Sequence, residues 1–166
     1  SDCSSGSSGS IVWKTCKDTI VDRKSVFQAH ICKVSSEEMV YKALEKLIDS
    51  SNKIQRATHN MWAYRFTQTK TSSTTSSSTS STTSTTTTTV LKHDNNDDGE
   101  DAAGSRLAHL LHMRKEDGVL VVVSRWFGGI HLGPKRFAHI ANCARSFLVE
   151  CHASGWLSTT TTTTTT

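Results

Sequence analysis

Residues 119–150 constrain the fold of this chain more than any other segment. They begin with VLVVV, an unbroken apolar run of mostly β-branched residues. Such a run marks a strand covered on both faces or central in its sheet. SRWFGGIHLG follows, and then Pro134. Proline suits the first helical position, because an N–H there has no intrahelical partner. Phe137, Ile140, Ala141, Ala144, Phe147 and Leu148 then recur at helical spacing and predict a core-facing stripe. Strand, glycine-rich turn and amphipathic helix succeed one another without a break. Such a unit needs neighbouring strands and other elements to cover it.

The rest of the chain supplies them. Residues 11–18 and 20–34 predict two strands; in the second, Phe27, Ala29 and Ile31 alternate with Gln28 and His30. Ser35 and Glu38 have capping-box spacing and predict a helix start. Val40, Leu44, Leu47 and Ile48 form its apolar side. In a strand over 57–66, Trp62, Tyr64 and Phe66 share one face, and His59, Met61, Ala63 and Arg65 the other. Residues 102–115 predict a helix with Leu107, Leu110 and Leu111 inward. The order β-β-α-β-α-β-α implies an α+β domain, a two-layer sandwich with helices on one face of about four strands.

Three tracts stand outside that pattern. SDCSSGSSGS at 1–10 has the composition of a tag-like linker, and 159–166 is a poly-threonine tail that specifies no packed structure. Residues 71–89 contain only Ser and Thr, which predicts a mobile surface insertion. The folded unit is therefore expected over 11–158. Its net charge of +4 is mildly basic. That is compatible with nucleic acid without requiring it. The cysteines Cys3, Cys16, Cys32, Cys143 and Cys151 include no CxxC pair, so buried free thiols in a reducing compartment are expected. No apolar run approaches the roughly 20 residues of a membrane span. A cytoplasmic protein without membrane contact is expected.

The glycine turn resembles a phosphate loop only in part. Four residues separate Gly128 from Gly133, but Pro134 stands where a Walker loop needs lysine, which excludes that kind of nucleotide hydrolysis. Lys135 and Arg136 beside a helix start can attract an RNA phosphate or an acidic partner. Alternatively, the glycines serve only a packed turn. Arg125, Trp126, Phe127 and Lys135 form an aromatic–basic cluster, with Gly128, Gly129 and Gly133 allowing close backbone approach. His59 and Asn60, on the strand beside Trp62, complete the candidate binding residues.

DNNDDG resembles the start of a calcium loop, yet Ser105 occupies the position of the bidentate glutamate. The alternative is a solvated turn whose carboxylates cap a helix near Ala102. Asp97, Asp98 and Glu100 with a divalent metal would form a hydrolase site, the enzymatic alternative. No triad assembles, since Ser124 lies outside a G-x-S-x-G elbow and Cys143 sits among apolar helix neighbours. No catalytic residue, metal ligand or cofactor is expected.

Four segments together, VDRKSVFQAH, ATHNMWAYRF, DDGEDAAGSRL and SRWFGGIHLGPKRFAHIANCAR, resemble the Impact family, which includes the bacterial YigZ proteins. The resemblance implies a domain like the second domain of a small-subunit ribosomal protein. It implies a non-enzymatic role in translation control, with a ribosome-associated activator of the amino-acid-starvation kinase as partner. RNA or ribosome binding through the basic glycine-rich turn is the alternative it carries. Eukaryotic members usually have an N-terminal RWD domain, which these residues do not contain.

Overall fold

The computed structural model describes residues 10–75, 79 and 83–157. Apart from Ser10, the tag-like leader lies outside these residues, as do Cys3, the threonine tail and most of the tip of the Ser/Thr tract. Ten elements follow in order: β1 Trp13–Thr15, β2 Ile20–Asp22, β3 Ser25–Lys33, α1 Glu37–Ser50, α2 Asn52–Gln55, β4 His59–Thr75, β5 Thr83–Asn96, α3 Ala103–Met113, β6 Val119–Trp126 and α4 Lys135–Ala153. The class is α+β. The strands pair antiparallel in the order β1-β3-β6-β4-β5, with β2 also paired to β3.

The run at 119–123 is central, as expected. Val119, Val121 and Val123 join Phe27, Ile31 and Met61 beneath α3 and α4. Leu120 and Val122 point the other way, toward residues of α1 and α2. That second layer corrects the expectation of helices on one face. Trp62, Tyr64 and Phe66 stack in a row, with centroids 5.9 and 5.6 Å apart. Each such ring carries roughly 150–250 Å² of surface. Val40 and Ala43 of α1 cover this side of the sheet, and Leu47 and Ile54 extend the cover over Val122.

The sheet has six strands where about four were expected. The second expected strand breaks at Arg23 and Lys24, whose φ of 46° and 67° form a two-residue hairpin turn pairing Asp22 with Ser25. Parts of the Ser/Thr tract, expected as a mobile surface insertion, extend β4 and β5 as exposed strand. Thr71–Thr75 of β4 pair with residues from Thr83 to Thr87 of β5, every one exposed. Threonine is β-branched and accepts strand geometry readily. The cap of α1 lies one residue beyond the expected serine. Ser36 Oγ accepts from Met39 N at 3.2 Å, while Glu38 pairs with Lys42.

Cys16, Cys32, Cys143 and Cys151 are buried free thiols, as expected. Burial pushes Cys143 up to about 12 and Cys32 and Cys151 up to about 11. Among the described residues, no helix is long and apolar enough to cross a membrane.

Candidate functional site

The candidate residues divide between the two faces of the sheet, because successive strand side chains point in opposite directions. His59 and Arg125 lie opposite each other in the β4–β6 register, as do Asn60 and Ser124. Arg125 and His59 face the start of α4. Trp126 and Asn60 face α2. The aromatic–basic cluster expected from Arg125, Trp126, Phe127 and Lys135 is therefore divided, with Trp126 on the other face of the sheet from Arg125.

Glu100 organises the first. It is 5% exposed and receives Arg125 Nη1 on Oε2. Arg136 Nε approaches Oε1 at 2.6 Å, and His59 Nε2 lies 3.7 Å from Oε2. Arg125 is itself 4% exposed, and its guanidinium sits over the rings of Phe27 and Phe127 at 5.4 and 5.6 Å. Arg125 and Arg136 are thus tied to a carboxylate. Lys135 remains exposed, near enough to Asp22 to help hold that carboxyl low, after the stronger effect of the His139 hydrogen bond.

The segment between β6 and α4, which joins Arg125 to Arg136, carries Phe127 and Ile130, 41% and 45% exposed. Phe127 pairs with the exposed His131, ring centroids 5.4 Å apart. The glycines have distinct duties. A Cβ on Gly128 would lie 2.2 Å from the carbonyl carbon of Lys24, so this position is locked against the β2–β3 turn. Gly129 and Gly133 have φ of +89° and +60° with open space beside them, so only backbone conformation calls for glycine there.

The acidic segment serves as helix and strand caps. Asp97 accepts from Ala102 N at 3.2 Å and Gly104 N at 2.7 Å, the capping role anticipated near Ala102. Asp98 Oδ2 accepts from Asn60 N at 2.7 Å, and its carbonyl meets His59 Nδ1 at 2.7 Å. Among the described residues, no group of three His, Cys, Asp or Glu side chains is placed to hold a metal ion.

The opposite face holds a buried polar row. Thr15 Oγ1 lies 3.0 Å from His30 Nδ1, and His30 Nε2 lies 3.0 Å from Ser124 Oγ. Ser124 donates to Asn60 Oδ1 at 2.6 Å, and Asn60 Nδ2 donates to Ile54 O at 3.0 Å. Since the serine hydrogen is committed to Asn60, His30 Nε2–H donates to Ser124 and Nδ1 accepts from Thr15. This is the reverse of a histidine activating a serine nucleophile. Burial, with the charge of Lys53 as a smaller cause, lowers His30 from 6.5 to about 4. Trp126 anchors α2: its Nε1 donates to Lys53 O at 3.0 Å, and the Lys53 ammonium lies 5.0 Å over the ring.

The structure thus brings Arg125, Arg136 and His59 together and places Trp126 and Asn60 elsewhere. Glu100 was anticipated only as a metal-site carboxylate with Asp97 and Asp98; its part as the shared ion partner, and the pairing of His30 with Ser124, were not legible. Only the concentration of acids near 94–101 signalled anything there.

Comparison with known proteins follows the same motifs. The family model described as the Impact N-terminal domain matches residues 23–148. Protein IMPACT of Mus musculus is 46% identical over 132 residues, covering 79% of this chain and 36% of its own length. Protein IMPACT-B of Xenopus tropicalis is 43% identical over 134 residues, with coverage of 80% and 36%. This chain therefore spans about a third of the length of these relatives. The solved structure of the two-domain translational regulator Yih1 superimposes with a TM-score of 0.50 at 38% identity, covering 83% of this chain and 46% of that one. A protein described as hypothetical shares the fold at 15% identity, with a TM-score of 0.53 and coverage of 88% and 58%.

Proposed function

Because this chain belongs to the Impact family, whose relatives include a translational regulator, we propose that it is a non-enzymatic, protein-binding module of translation control. It acts in the cytoplasm and contacts a protein of the translation machinery, the ribosome-associated activator of the amino-acid-starvation kinase. The contact surface is the segment between β6 and α4. The observation that carries this reading is the exposure of Phe127 and Ile130 on the segment that joins Arg125 to Arg136, both tied to Glu100. Large apolar side chains on a rigid base are the usual anchors of a protein interface. Such a base lowers the ordering cost of binding.

Capture from a translating extract, followed by mass spectrometry, tests the reading. The wild type should retain the kinase activator, and Phe127→Ala with Ile130→Ser should lose it while keeping its circular dichroism spectrum. Equal capture by both proteins, or capture by neither, would refute the assignment. The exposed Phe127–His131 ring pair supports RNA as a second reading, since such rings can stack a base. That reading requires single-stranded RNA affinity to fall steeply between about 50 and about 200 mM salt.

A further inference from the structure

The charges around Glu100 do not balance. One carboxylate, 5% exposed, faces two guanidiniums that are permanently charged. Counting His59 as uncharged, the cluster carries a surplus of one positive charge. Buried charge is normally paired, because leaving it unpaired costs solvation that nothing returns. The hydrogen bonding shows the same deficit. Among the described residues, Arg125 Nε has no hydrogen-bond partner, while Arg136 Nε meets Glu100 Oε1 at 2.6 Å. Arg125 is almost completely buried, whereas the Arg136 side chain is 29% exposed and gives access from solvent.

From this surplus we propose that the Glu100–Arg125–Arg136 cluster is a receiving site for a single carboxylate of a protein partner. The proposal rests on the β6–α4 segment being the partner surface, and it adds the chemistry of the segment that binds there. An incoming carboxylate balances the second guanidinium and reaches it through the exposed part of the Arg136 side chain. Phe127 and Ile130 on the same segment suit apolar residues flanking that acid. A polynucleotide fits less well, since backbone binding needs several unopposed cations in a row. The exposed cations Arg23, Lys24 and Lys135 are what such a backbone would use, whereas the surplus at Glu100 is a single charge on the segment that carries Phe127 and Ile130. The partner segment is therefore short, acidic at one position and apolar beside it.

The test is a titration of the whole chain with N-acetylglutamate and, separately, inorganic phosphate, followed through the arginine Nε–H resonances. The Arg136 signal should shift saturably with N-acetylglutamate in the range up to roughly 100 mM, as suits one exposed ion contact. Glu100→Gln removes the competing carboxylate and should tighten binding by about tenfold, whereas Arg136→Gln should weaken it by at least about tenfold. Lys135→Gln, which removes the same charge from the neighbouring exposed residue, should change affinity by no more than about twofold. If Glu100→Gln fails to fold, the Arg136 and Lys135 variants decide the matter alone.

Absence of a saturable shift overturns the proposal. So does an equal loss in the Arg136 and Lys135 variants, which would mean diffuse surface charge. Binding of phosphate without N-acetylglutamate also overturns it and favours the nucleic-acid reading. Capture of the kinase activator with no carboxylate titration would sink this inference alone. The converse result, titration without capture, would sink the choice of partner and leave the carboxylate site standing.

Discussion

Acidification should destabilise this protein through His30 before its low-lying carboxylates contribute. His30 is fully buried between Thr15 and Ser124, and its folded value of about 4 lies below the ordinary 6.5. The unfolded chain therefore binds a proton near pH 6.5, while the folded chain resists until about pH 4. The resulting stability is fully present above the unfolded value and is lost as pH falls through this window. At about 1.4 kcal/mol per tenfold change, the whole gap amounts to about 3 kcal/mol. Between about pH 7.5 and about pH 5 the loss should be about 2 kcal/mol, a large part of a typical 5–15 kcal/mol total. Asp22 and Glu38, both held below their ordinary values of 3.8 and 4.5, titrate lower still and stay outside this range. Urea denaturation at the two pH values measures the effect. His30→Gln should be less stable at about pH 7.5 yet lose little more on acidification. If wild type and variant lose the same amount, or the wild type loses nothing, the assignment to His30 is wrong.

Three further outcomes follow from the geometry. Gly128→Ala should lower stability by about 1–3 kcal/mol, because its Cβ would sit 2.2 Å from the Lys24 backbone. Gly129→Ala faces open space and should cost about 1 kcal/mol of backbone strain, so thermal melts should rank the two in that order. Asp97→Ala removes the acceptor of the Ala102 and Gly104 amides at the start of α3 and should cost about 1–2 kcal/mol, read as a fall in Tm. Replacing residues 71–87 with Asn-Gly joins Lys70 to its strand partner Thr88 and should change stability by less than about 1 kcal/mol, since the described residues removed are all exposed. A larger loss in the urea midpoint would show that the hairpin supports the sheet.

The local pattern of residues determined much of this protein. The apolar run at 119–123, the alternation of Trp62, Tyr64 and Phe66 with Met61 and Ala63, and the stripe from Phe137 to Leu148 each identify an element and the side it buries. Four motifs together identified the family. These features are legible because strand and helix periods repeat within a few residues. Tertiary structure alone decided which layer each face meets. It set α1 against the aromatic row, sent Arg125 and Trp126 to opposite sides of the sheet, and brought Glu100 to Arg125 across 25 residues of chain. Composition suggested three free cations around the turn. Strand register and the approach of α3 to α4 left Arg125 and Arg136 sharing one carboxylate, because ion pairing depends on distance in space, which local periodicity does not encode.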